Sequence, residues 1–182
     1  MVRRSVKGGS ARWHAHELFA GVTLANGRYS ITDIELSDLK RKIRVLCKQK
    51  RFINCREWEE FGGASHMQTI LAGNGNVEDN VIELPSGAYR AIALRSFDPS
   101  TKSWAIWWLS SIAPHAIGVP VIGRFENGIG SFFASDVLRG DQIRVRFLWL
   151  ATDTGSPRWE QAMSADGGQN WETNWTMDFW RS

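Results

Sequence analysis

Residues 164–171 read Ser-Ala-Asp-Gly-Gly-Gln-Asn-Trp, and a further tryptophan, Trp175, follows four residues later. Asp166-Gly167-Gly168 is turn chemistry. Glycine reaches positive φ without steric cost, and a short carboxylate can accept hydrogen bonds from backbone amides just downstream. The flanks, 159–164 and 171–181, have strand composition, so the whole stretch predicts a β-hairpin. Ser164-x-Asp166-x-Gly168-x-x-Trp171 also fits the Asp-box pattern of sialidases, in which an aspartate pins a hairpin turn and a tryptophan seals it. The pattern occurs once here and the rest of a sialidase is absent. Ser164, Asp166, Gly168 and Trp171 are therefore assigned a structural role in the turn.

Working outward, turn signals recur at near-regular spacing from about residue 50. They include Gly62-Gly63, the run Ala72-Gly73-Asn74-Gly75-Asn76, Pro85-Ser86-Gly87, Asp98-Pro99-Ser100, Glu126-Asn127-Gly128, Arg139-Gly140-Asp141 and Asp153-Thr154-Gly155. Strand-like runs lie between them, and no helical period competes over ten residues. The fold class is all-β. Consecutive hairpins without long returning connections predict an antiparallel up-and-down β-barrel of about 9–10 strands, a form that also removes sheet edges. Strand alternation then assigns an interior. In 142–150 one face carries Ile143, Val145, Phe147 and Trp149; in 171–181 one face carries Trp171, Thr173, Trp175, Met177 and Phe179.

The chain has 182 residues, ten tryptophans and nine phenylalanines, enough for one domain whose core or cavity is lined by large rings. Charge is divided unevenly. Residues 1–51 hold 12 Lys/Arg and 4 Asp/Glu, whereas 52–182 hold 10 and 15 and nine of the ten tryptophans. This divides the chain into a basic leader, 1–48, partly disordered or contributing a first strand, and a barrel domain, 49–182. The leader leaves open a contact with nucleic acid or an anionic surface, but solvated strand charges account for it, and no nucleic-acid partner is expected. Cys47 and Cys55 have neither metal-ligand spacing nor a disulfide framework, and no apolar run reaches membrane-spanning length. The expectation is a reduced, cytoplasmic protein without metal or cofactor and without a membrane span; a homodimer is left open.

Ligand-binding candidates follow from the same alternation. Trp108, Trp149 and Trp175 are candidate apolar walls, and Arg95 and Arg146 are candidate polar anchors, because a guanidinium can hold an acidic group or stack on an indole. Arg146 is favoured as anchor, although it lies on the opposite parity from Trp149 and would face inward only across a bulge or at a barrel end. The scattered histidines build no recognisable site. An enzymatic alternative places His115 or Glu160 as acid or base beside Arg146, but no nucleophile–base or phosphate-loop signature accompanies it. A third alternative is a structural or interaction barrel whose rings simply fill the core.

Five stretches carry a resemblance. They are Glu57-Trp58-Glu59-Glu60-Phe61-Gly62-Gly63; Gly73-Asn74-Gly75-Asn76-Val77-Glu78-Asp79; Leu94-Arg95-Ser96-Phe97-Asp98-Pro99 with Trp104; Gly123-Arg124-Phe125-Glu126-Asn127-Gly128-Ile129-Gly130; and Arg158-Trp159-Glu160-Gln161-Ala162-Met163-Ser164 through Asn174-Trp175-Thr176-Met177-Asp178-Phe179. Together, over roughly residues 50–181, the chain resembles an uncharacterised bacterial family of the calycin (lipocalin-like) superfamily. That resemblance implies a closed or nearly closed antiparallel barrel with an internal cavity, and no established activity. Members with this pattern open on a Gly-x-Trp first strand, whereas Asp38-Leu39-Lys40-Arg41-Lys42 stands in that place here. The reading that results is a barrel binding a small hydrophobic or amphipathic ligand among tryptophans.

Overall fold

The computed structural model describes residues 23–25, 28–30, 42–50, 56–152, 154 and 156–181. Expectations for the first 22 residues, for 31–41 and for Cys55 fall outside them. Strands β1 (Thr23–Ala25) and β2 (Arg28–Ser30) pair antiparallel as a small sheet of their own. Ten further strands follow: β3 (Lys42–Gln49), β4 (Glu59–Ile70), β5 (Gly75–Leu84), β6 (Gly87–Asp98), β7 (Ser103–Ser110), β8 (Val121–Glu126), β9 (Ile129–Leu138), β10 (Asp141–Leu150), β11 (Arg158–Ser164) and β12 (Glu172–Arg181). From β4 onward each pairs antiparallel with the one before it, and β12 pairs with β3. The result is the expected closed, all-β, up-and-down barrel. No helix among the described residues is long and apolar enough to cross a membrane.

Closure depends on β3, the most basic strand. Its inward residues Val45 and Cys47 are buried, while Lys48 points outward to Glu60 of β4 at 2.8 Å. Just beyond the strand, Lys50 meets Glu172 of β12 at 3.1 Å. The charge imbalance along the chain is thus partly cancelled across strands, because the basic strand lies between two that carry carboxylates. The exposed Lys48–Glu60 pair sets register more than it stabilises, being worth under about 1 kcal/mol.

Two glycine readings change. Gly62-Gly63 is not a turn: both residues lie within β4, which runs unbroken from Glu59 to Ile70. A Cβ on Gly63 would meet the Val81 carbonyl oxygen at 2.7 Å, so the absent side chain permits close approach of β5. The turn-like run around Gly75-Asn76 is also shorter than its composition suggests. A single 3-10 turn at Leu71–Gly73 reverses the chain, and β5 begins at Gly75. At the other extreme, β7 and β8 pair over only three positions, Trp104↔Gly123 to Ile106↔Val121. Beyond Ile106 the second half of β7 has no β8 partner, and the exposed connection 111–120 follows.

The hairpin that opened the sequence reading joins β11 to β12. Ser164 Oγ donates to Asp166 Oδ1 at 2.7 Å and accepts from the Gly168 N–H at 2.8 Å. The Asp166 carboxylate accepts from the backbone N–H groups of Gln169 (3.0 Å) and Asn170 (2.9 Å), and from the Asn170 side chain at 2.6 Å. The Asn170 backbone bond, then the Ser164 and Asn170 side chains, hold this carboxyl well below the usual carboxylate range. Gly168 has φ +101, and a Cβ there would lie 3.3 Å from the Trp171 ring. The four residues form one interlocked turn.

Candidate functional site in the barrel interior

Alternation in β5 brings Asn76, Glu78, Asn80 and Ile82 to the inside, all of them buried. The register places Asn76 opposite Arg95 of β6 and Asn80 opposite Ser65 of β4. A polar wall results. Glu78 accepts hydrogen bonds from Ser65 Oγ and from the Arg95 guanidinium, with which it forms an ion pair. Arg95 also donates to Asn76 Oδ1 at 3.0 Å, and Asn80 Nδ2 donates to the Glu78 carbonyl at 3.3 Å. Glu78 and Arg95, each 3% exposed, are the buried charged side chains among the described residues.

Rings oppose that wall. The Arg95 guanidinium lies 5.5 Å from the Trp149 ring centroid, and Trp149 stacks on Phe179 at 5.3 Å with 28° between planes. A second series runs edge to face: Trp108 to Trp175 at 5.9 Å, Trp175 to Trp159 at 5.6 Å, and Trp159 to Phe147 at 5.0 Å. These separations and tilts are those that ring quadrupoles favour. Between the walls is a cavity of about 30 Å³, bordered by Glu78, Asn80 and Arg95 on one side and by Trp108, Phe147, Trp149, Trp159 and Phe179 on the other. A cavity needs roughly 10–15 Å³ of such space to hold one water, so this one has room for a few waters at most and for nothing larger as it stands. The interior is closely packed.

The candidates from sequence divide accordingly. Trp108, Trp149 and Arg95 border the cavity, and Trp175 braces it from one layer away through Trp108 and Trp159. Arg146 is elsewhere. β10 keeps regular register with both neighbours through residues 144–149, so no bulge reverses its parity and Arg146 stays on the outer wall. There its guanidinium lies 4.6 Å from the Trp171 ring centroid. Trp171 is outside as well, although simple alternation puts it on the face of Trp175. The register shifts between Gln161 and Ala162, so Trp175 pairs with Gln161 but Thr173 with Ala162, and Asn174 is the extra residue of a bulge. His115 lies in the exposed connection 111–120, and Glu160 is on the outer face, bonded to Arg158 at 2.7 Å. The proposed acid, base and anchor of the enzymatic alternative do not converge. Among the described residues, no three His, Cys, Asp or Glu side chains cluster as metal ligands would.

Sequence reasoning missed Ser65, Asn76, Glu78 and Asn80. Gly-Asn-Gly-Asn reads as a loop by composition, yet a period-two signal was present: Asn76, Glu78, Asn80 and Ile82 alternate with Val77, Asp79 and Val81. Buried beside Trp175 is a further titratable group, Cys47. Burial pushes its thiol up to about 12, offset in part by the neighbouring Trp175 indole and reinforced by the charges of Asp178 and Glu83. No protein-family model matches the chain, and no curated protein matches it.

Proposed function

We propose that this is a calycin-like binding barrel whose interior takes a small, neutral, largely apolar molecule between the tryptophan wall and the Glu78–Arg95 pair. One observation carries the reading: a hydrogen-bonded ion pair faces aromatic rings across the interior. Burying two charges is expensive, and apolar side chains of similar volume would fill a barrel at least as stably. A mixed wall of this kind suits recognition, in which apolar contact supplies affinity and a few placed polar groups supply orientation. The closed ten-strand meander supports the calycin-like placement. Arg95 takes the anchoring role foreseen for Arg146, with a different preference. Glu78 already engages its guanidinium, so an incoming carboxylate would compete with a buried carboxylate. A neutral group that both donates and accepts hydrogen bonds would bridge the pair.

Room must be made. Trp108 is one of two half-buried rings bordering the cavity, with Phe147, and it is the one that lies where β7 has lost its β8 partner, so its swing is the movement that admits a ligand. A second reading, the filled structural or interaction barrel, is favoured by the 30 Å³ volume. Native mass spectrometry of protein from its own host, followed by tryptophan-fluorescence titration with benzamide and benzoate, separates the two. Benzamide should quench saturably and benzoate should not. Preference for benzoate would make Arg95 an anion anchor. No response to either probe and no co-purifying molecule would leave the filled barrel.

A further inference from the structure

Ten large apolar side chains are exposed among the described residues, and six of them lie in one region: Ile112, Ile117, Val119, Ile122, Phe133 and Val137. Three belong to the connection 111–120, where Ile112 is 71% exposed, Ile117 58% and Val119 67%. Backbone turns hold that connection in shape, with Ala113 N–H donating to the Ser110 carbonyl at 3.1 Å and Ala116 N–H to the Ala113 carbonyl at 3.0 Å. Its apolar tips are thus presented, not tucked in. Ile122, two residues after Pro120, continues the surface onto the outer barrel wall. Its cross-strand neighbour is Phe133, and Val137 lies further along β9 toward the same end.

Basic groups border this apolar surface. Arg124 follows Ile122 on the same face of β8, Arg146 is the cross-strand neighbour of Phe133, and Arg144 precedes Arg146 on the same face of β10. Several exposed or half-exposed cations elsewhere on the barrel have carboxylate partners: Arg90 with Asp79, Arg158 with Glu160 and Asp178, Lys48 with Glu60. Among the described residues, Arg124, Arg144 and Arg146 have none. A projecting apolar loop next to uncompensated positive charge is the arrangement that binds at a lipid interface: the apolar tips enter the headgroup boundary and the cations meet anionic headgroups. A second copy of the chain fits less well, since two-fold docking through this patch would bring the same unpaired arginines toward one another.

We infer that the 111–120 connection and the adjoining outer wall of β8–β10 form a docking surface for an anionic lipid bilayer. This does not depend on the interior binding a ligand. Flotation with phosphatidylcholine vesicles, with and without phosphatidylserine, tests it on the full chain. Wild-type protein should float with the phosphatidylserine vesicles and be released by salt. The double variant Ile117→Asp, Val119→Asp, at exposed loop positions, should lose most of the binding. Arg124→Gln and Arg144→Gln should each weaken it about fivefold. Ile129→Asp, an exposed position at the opposite end of the barrel, should behave as wild type. Failure of the wild type to float would overturn the inference, as would flotation insensitive to both loop and arginine variants. So would a dimer in sedimentation velocity that the loop variant dissociates while vesicles bind nothing.

Discussion

Two arginine–tryptophan contacts sit on opposite sides of one barrel wall. Inside, Arg95 lies over Trp149 at 5.5 Å and is bound to Glu78 and Asn76. Outside, Arg146 lies over Trp171 at 4.6 Å and has no carboxylate partner among the described residues. The outer contact is the shorter, yet the inner one should matter more to the fold. Water screens the outer guanidinium and solvates it when the contact breaks, whereas removing either inner partner strands a charge in a dry interior. Distance to a ring is a poor guide to importance; the alternative available to the charge decides.

The largest effect should come from breaking the inner pair. Arg95→Met, which leaves Glu78 buried without its guanidinium, should cost about 3–5 kcal/mol in urea denaturation. Adding Glu78→Gln should recover much of that loss, and a double mutant no more stable than the single one would show that the pair is not the coupled unit described here. On the same side of the wall, Cys47 sharpens the contrast through pH. Its folded pKa is raised to about 12 from an ordinary value of 9.0. The folded state therefore holds this proton more tightly than the unfolded one. Stability is fully present below pH 9 and is lost as pH rises toward 12, by on the order of 4 kcal/mol. Burial raises the Tyr89 hydroxyl as well, so Cys47→Ala should flatten the alkaline limb without abolishing it.

On the outer side, the hairpin is expected to matter more than the cation. Gly168→Val forces a β-branched residue to φ +101 against Trp171 and should cost about 1–3 kcal/mol by thermal or urea unfolding. Asp166→Ala should lower the thermal midpoint by about 3 °C. With the aspartate present, stability should fall as pH drops below about 4, because the folded state favours the ionised form. Arg146→Met should change stability least, by under about 1 kcal/mol. A larger loss from Arg146→Met than from Arg95→Met would reverse the comparison.

Several features were legible because they are local. The residues of 164–171 specify their own turn, and the alternation of 142–150 fixes which side of β10 carries Trp149, whatever the neighbours do. That parity set Arg146 opposite Trp149, yet the sequence reading favoured it as an inward anchor, which needed a bulge that β10 does not have. Other features were illegible for definite reasons. Gly62-Gly63 resembles a turn until a second strand makes close approach the explanation. The residues of β5 resemble a loop because strand propensity penalises Asn and Gly, and only the neighbouring Ser65 and Arg95 make Asn76, Glu78 and Asn80 satisfiable inside a barrel.

By itself, then, the sequence determined the all-β class, the meander, the hairpin at Asp166 and the set of rings available to an interior, since period and turn chemistry act over a few neighbouring residues. The tertiary structure decided the rest. Closure by β3 depends on pairing with β12, more than 120 residues away in the chain for Lys50 and Glu172 (|i−j| = 122). Whether Trp171 faces in or out depends on a bulge that forms only when β11 meets β12. The 30 Å³ between Arg95 and the tryptophans is a small difference between large volumes contributed by many strands. No local pattern encodes such a difference, because it exists only once the barrel has closed.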